Sequence, residues 1–339
     1  MTQIRWDKLH IATQYFMLQH THNFTPNLFF RNKHFNTLYR YFRTKIKPNY
    51  KRERLTTADG DFIDLDIASV GAKRVIITIH GLEGSANSSY IRSLAHIGNT
   101  EGFDVVAVNL KGCSGTPNLA LTSYHSGKTD DLIEIIQHIE NTKNYTEINL
   151  VGFSLGGNIV LKFMGEFATS FAEKVQASVA VSVPCDLKCS AQSLRKWSNS
   201  LYQYNFLQSL RKKAKYKISQ FPKANLDKTK IEKAKTFAEF DNYFTAITHG
   251  FKDADEYWSK SSSKQFLNFI NKPTLLISAL NDPFLSKNCY PFAEAKEHEF
   301  FHLLTPKYGG HVGFYSSFKK GQNYWLERQI INFLTKKII

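Results

Sequence analysis

Three residues of this chain have the types and the order to do covalent chemistry: Ser154, Asp282 and His311. Ser154 is the centre of Gly152-Phe153-Ser154-Leu155-Gly156-Gly157, directly after the apolar run Ile148-Asn149-Leu150-Val151 and before the helical pattern Asn158–Met164. A strand that turns sharply into a helix exposes such a serine, and glycines at 152 and 156 leave room where side chains would meet the neighbouring strand and helix. A serine hydroxyl is a poor nucleophile at neutral pH; it needs a base, and the base needs a carboxylate to hold its tautomer. Asp282 follows the run Thr274–Ala279, and His311 follows Phe300–Leu304 inside Tyr308-Gly309-Gly310-His311-Val312-Gly313. Acid and base are thus each expected just beyond the carboxyl end of a strand, in the chain order serine, acid, histidine. The developing oxyanion would need two donors, for which the backbone N–H of Leu155, at a helix N-terminus, and that of Leu82, in His80-Gly81-Leu82-Glu83-Gly84-Ser85, are the candidates.

The elements that would hold these residues alternate. Strands are expected at 52–57 and 61–67 around the turn Asp59-Gly60, then at 74–79, 104–109, 147–152, 177–183, 274–279 and 300–304. Between them helices are expected near 88–99, at 130–142 with Thr129 as its cap, at 155–168 and at 322–337. Strand–helix alternation implies a mostly parallel central sheet with helices on both faces. The alternation stops between 185 and 272, a helical, basic and aromatic stretch with a helix at 201–218. Inserted after the sixth strand, it would lie over the carboxyl edge of the sheet, where such folds bind ligands. The expected organisation is an N-terminal basic arm (1–50, helices near 6–20 and 34–44), a core (51–184 and 273–339) and a helical cap (185–272). Phe206, Tyr202 and Phe240 are the candidate pocket linings from the cap.

The chain has 339 residues, 42% hydrophobic and 14% aromatic, which is enough for a sizeable core. No run approaches the length of a membrane span, and the first residues lack the apolar centre of a signal peptide. Four cysteines have no metal-site spacing, so free thiols in a reducing cytoplasm are expected. The net charge of +15 is uneven: residues 1–56 carry +9 and residues 186–235 carry +10, leaving −4 on the rest. A solvated lysine-rich exterior is the plainer reading. The functional alternative is attraction to an anionic surface or substrate, such as a membrane or a phosphorylated acyl donor. No nucleic-acid-binding motif is present. His80, His34, His125 and His249 read as structural, and Cys113 has no evident base.

Several segments together resemble a known group. Pro26–Thr37, Asp59–Asp66, His80–Ser85, Lys111-Gly112-Cys113-Ser114-Gly115, Tyr124–Leu132, Tyr204–Leu207 and His249-Gly250-Phe251 are similar to motifs of the YheT-like esterases of the α/β-hydrolase superfamily, with Asn36 for the usual glutamine and Lys111 for the usual arginine. That group is related to ABHD-type phospholipases and fungal alcohol O-acyltransferases. The resemblance implies the α/β-hydrolase fold and hydrolysis of carboxylic esters without metal or organic cofactor. It makes Ser154 the nucleophile, Asp282 the acid and His311 the base. The expectation is a carboxylesterase of short- to medium-chain acyl esters, with a small-molecule ester as partner. The same three residues would equally serve an alcohol O-acyltransferase or a membrane-surface (phospho)lipase. Oligomeric state is not legible.

Overall fold

The computed structural model describes residues 24–43, 46–167, 175–319 and 323–335; the helix expected at 6–20 lies outside them. Eight strands of the described residues form one sheet: β1 (Lys51–Thr56), β2 (Phe62–Ala68), β3 (Arg74–Ile79), β4 (Asp104–Asn109), β5 (Glu147–Phe153), β6 (Val175–Val181), β7 (Thr274–Ile277) and β8 (Phe301–Leu304). Their order is β1-β2-β4-β3-β5-β6-β7-β8. β1 and β2 run antiparallel to their neighbours, and from β4 to β8 every pair is parallel.

The central strands are apolar throughout because both of their faces are covered. In β3 the alternation is plain. Val75, Ile77 and Ile79 pack toward helix α3 (Asp130–Thr142) and helix α4 (Leu155–Glu166), among Leu132, Ile135, Ile159 and Phe163. Ile76 points the other way, toward helix α2 (Ser89–Thr100) and the last described helix, α11 (Trp325–Leu334), among Ile91, Leu94, Leu326 and Ile330. Side chains such as these gain about 1.5–3 kcal/mol each when fully buried.

The arm helix α1 (Lys33–Arg43) docks by polar side chains. Asn36 donates to Phe30 O at 2.8 Å and Tyr315 O at 3.0 Å, and accepts from Tyr315 N–H at 3.0 Å. Arg40 donates to Gly313 O at 3.0 Å and pairs with buried Glu327.

Between β6 and β7 lie α5 (Leu187–Leu194), α6 (Ser200–Gln220), α7 (Lys228–Lys233), α8 (Phe237–Phe240), α9 (Ala246–His249) and α10 (Ala254–Ser261). Four of the six starts carry a side-chain cap. Asp186, Asp227, Thr236 and Asp253 each accept the backbone N–H three residues on, and Thr236 closes a full capping box with Glu239. These helices share a small core of their own that includes Leu187, Leu207, Ile231, Phe240 and Trp258.

Some expectations need correction. Thr129 does not cap α3; its backbone is already helical and its hydroxyl donates to Glu166 at 2.8 Å. β6 begins two residues earlier than expected and ends at Val181, and β7 ends at Ile277, because the chain leaves the sheet to shape the loops beyond it. The last helix is Trp325–Leu334 rather than 322–337, residues 320–322 and 336–339 being outside the described ones.

Candidate active site

The sheet order reverses at β3, with β4 on one side and β5 on the other, so the loops after β3 and β5 are neighbours at the crevice where such sheets take ligands. Ile79 and Gly152 are paired across these strands. Ser154 follows β5 with φ +53° and ψ −118°, a conformation that costs free energy in a residue with a side chain. Its N–H donates to Val181 O at 2.8 Å, which pins the turn to β6. The expected glycine requirement holds: a Cβ on Gly152 would lie 2.3 Å from Gly156 O, and one on Gly156 2.4 Å from Ile79 O.

Asp282 follows β7 and is buried. Its Oδ1 accepts the Phe284 N–H at 2.8 Å and its Oδ2 lies 2.8 Å from His311 Nδ1. With Nδ1 directed at the carboxylate, the other ring nitrogen is left for a second partner. The His311 loop turns through Gly309 and Gly310, at φ +152° and +63°; a Cβ on Gly310 would come within 2.5 Å of Lys33 O. The loop is tied to the arm: His311 N–H donates to Thr37 Oγ1 at 2.8 Å. Gly310 N–H donates to Asn281 Oδ1 at 3.0 Å, and Asn281 in turn donates to Arg31 O at 3.0 Å. The Phe284 ring lies over His311, centroids 4.3 Å apart.

Ser154, His311, Leu82 and Leu155 line one cavity of about 140 Å³, with Asp282 behind His311. Leu155 opens α4, where a backbone N–H has no partner within the helix. All five residues singled out from the sequence therefore converge at one place. Of the three candidate linings, Phe206 and Phe240 face the cavity. Tyr202 does not; its ring meets Phe284 at 4.8 Å and stacks on His34 at 5.8 Å, bridging insertion and arm.

A family model described as alpha/beta hydrolase fold matches residues 74–316, a span that holds the elbow and both strand-end residues. The chain belongs to the alpha/beta hydrolase fold family. Within this hydrolase family, it is 33% identical over 318 residues to the Escherichia coli (strain K12) protein named "Putative esterase YheT", covering 92% of this chain and 93% of that one. It is 27% identical to the Mus musculus protein named Phospholipase ABHD3, covering 93% of this chain and 78% of that one. Among solved structures it is similar to the Pyrococcus furiosus esterase PF2001, with TM-score 0.57 at 16% identity over 86% of this chain and 92% of that one, a likeness of fold.

Other parts of this hydrolase's cavity were not legible beforehand. Glu83, at φ +55°, is fixed beside Leu82 from several directions. Its N–H donates to Tyr124 Oη at 2.9 Å, and its carboxylate accepts from Tyr124 at 2.7 Å, from Lys213 Nζ at 2.8 Å and from Ser209. Lys213 Nζ also reaches Cys113 Sγ at 3.2 Å. Burial pushes the Cys113 thiol up to about 11, so it stays protonated at neutral pH. On the far wall Asp241 accepts from Thr245 Oγ1 at 2.8 Å and Trp258 Nε1 at 2.9 Å; burial raises its carboxyl to about 6. His80 sits beneath the loop, Nδ1 2.7 Å from Gly81 O and Nε2 accepting the Leu110 N–H at 3.1 Å. Burial lowers it to about 4, in keeping with a neutral structural residue. His125 and His249 pack ring to ring at 4.7 Å, both held neutral mainly by burial.

Proposed function

We propose that this hydrolase is a serine carboxylesterase acting on short- to medium-chain acyl esters. Ser154 attacks the ester carbonyl while His311, oriented by Asp282, takes its proton. The N–H groups of Leu82 and Leu155 receive the oxyanion. The alcohol leaves with the proton from His311, and water, activated by the same histidine, cleaves the acyl-enzyme. The observation that carries this reading is the 2.8 Å His311–Asp282 contact beside a cavity that both Ser154 and His311 line.

The apolar lining, with Leu187, Leu194, Phe206, Phe237, Phe240 and Phe244, suits an acyl chain, and the insertion 185–272 serves as a cap that keeps water out. The esterase and phospholipase names of the relatives support an ester substrate. The four free thiols fit a reducing compartment, the cytoplasm.

The test is turnover of p-nitrophenyl esters of graded chain length by the protein and by Ser154→Ala, with fluorophosphonate labelling of both. Loss of labelling and a fall of at least about 10³-fold in kcat are expected for the variant. Equal turnover in the two proteins would refute the assignment.

A further inference from the structure

The arm helix α1 divides its apolar residues, with Phe35 and Tyr39 packed among Phe30, Tyr315 and Phe318 and others turned outward. Its buried side carries Asn36 and Arg40, while Leu38, Tyr41 and Phe42 face solvent, the last two at 76% and 77% exposure. Spaced three or four apart with His34, they form one stripe. Just before it, Leu28 and Phe29 are also largely exposed. At its His34 end the stripe meets the insertion, where His34 Nδ1 lies 3.4 Å from Tyr202 Oη. There a second exposed series begins: Trp197 at 91%, then Leu201 and Tyr204 at 63% and 56%, again at spacings of four and three. Exposed apolar residues gathered in this way are uncommon on a protein that meets only water.

Residues 24–50 contain six Lys/Arg and no acid, and residues 187–226 contain nine and none. Of the basic residues in these segments, Arg40, Lys188, Lys213 and Lys215 pair with acids from elsewhere, while Arg195, Lys196, Lys212 and Lys223 are exposed. Lys196 adjoins Trp197, and exposed Lys212 continues the Leu201–Tyr204–Gln208 face of α6. No helix among the described residues is long and apolar enough to cross a membrane, so a lipid contact here would lie along the surface. Aromatic and aliphatic side chains ringed by Lys and Arg are the composition that partitions into the headgroup region of an anionic bilayer.

We propose that the exposed face formed by α1 and the start of α6 docks this protein on an anionic lipid surface. Apolar burial comes from Leu38, Tyr41, Phe42, Trp197 and Leu201, and long-range attraction from exposed Arg195, Lys196, Lys212 and Lys223. The two elements are joined through His34 and Tyr202, and the Tyr202 ring contacts Phe284, which lies over His311. Docking therefore brings the lipid phase beside the cavity. The proposal concerns where the protein sits and stands independently of the esterase reading.

The test is co-sedimentation of the full chain with vesicles of phosphatidylcholine containing about one-third phosphatidylglycerol, and with phosphatidylcholine alone. These are run at low salt and at about 1 M, where screening is nearly complete. The protein is compared with a Tyr41→Glu, Phe42→Glu, Trp197→Glu variant, whose fold is monitored by circular dichroism and its thermal melt. Expected are binding to the anionic vesicles, at least tenfold weaker partitioning at high salt, and a similar loss in the variant with spectrum and melt unchanged. Absence of binding to anionic vesicles, or binding that the variant leaves intact, would overturn the proposal. So would light scattering that finds a dimer in the parent and a monomer in the variant without vesicle binding, since the face would then belong to a second copy.

Discussion

Lys111 shows how one side chain can be placed correctly and still leave a contact unmade. It is buried between Asp59 and Asp131, with Nζ at 2.7 and 3.2 Å from them. Burial disfavours its charge, but Asp131 and Asp59 outweigh burial and hold the ammonium protonated. Burial dominates at Asp131, whose carboxyl is raised and whose Oδ2 is buried with no hydrogen-bond partner among the described residues. An ammonium is a point donor; the arginine fork of the resembled motif reaches two oxygens at once. Replacing Lys111 with Met should therefore cost about 3–5 kcal/mol, read as a lower denaturation midpoint, because Asp131 stays buried without its counter-charge. Lys111→Arg should restore at least the parent stability. The motif that marks Lys111 was visible in the sequence; the two acids that close on it, one from the hairpin turn and one from α3, were not. Thr129 teaches the same lesson. Its local pattern signals a cap, but a carboxylate at Glu166, 37 positions away, competes for its hydroxyl.

At the scale of elements, the strands that carry Ser154 and Asp282 could be read because runs buried on both faces admit little but apolar side chains, whereas edge strand β8 before His311 is half-exposed at its centre. The turns beyond them could be read because a positive φ at Gly309 and Gly310 and close backbone approach at Gly152 and Gly156 demand glycine. What spans elements could not. The tie from α6 to the loop after β3 joins Lys213 to Glu83 across 130 positions, and neither flanking pattern hints at the other. That tie bears on rate. Glu83 adjoins the proposed donor Leu82, and a donor that acts on the oxyanion contributes in the transition state rather than in substrate binding. Lys213→Met should lower kcat for a small ester about tenfold or more with KM little changed, and Lys213→Arg should recover part of it. A rise in KM at constant kcat would instead assign Lys213 to substrate binding. Tyr202 was misplaced for a related reason: helical periodicity gives the face of a residue on α6 but not which of two neighbours, cavity or arm, that face meets.

For the whole molecule, buried histidines set the response to acid. His80, His249 and His302 are each lowered to about 4, first by burial, and His125 lies well below its usual value for the same first cause. The unfolded chain takes up protons on these rings below about pH 6.5, whereas the folded chain does not until about pH 4, so stability falls as pH drops through that window. Asp241, raised to about 6, and Asp131, also raised, work in the opposite direction over part of it, two groups against the four histidines. The melting temperature should be lower at pH 4.5 than at pH 7 by about 5 °C or more in calorimetry, and a flat profile would contradict these assignments. The docking of the arm has a consequence in time. Arg40 is made before its partners Gly313 and Glu327, which lie 273 and 287 positions downstream. At about 5–20 residues per second on the ribosome, the arm waits roughly 15–60 s for the surface it docks against. The loop that presents His311 meets its Thr37 partner across 274 positions, so the site cannot be completed until long after the arm has been made.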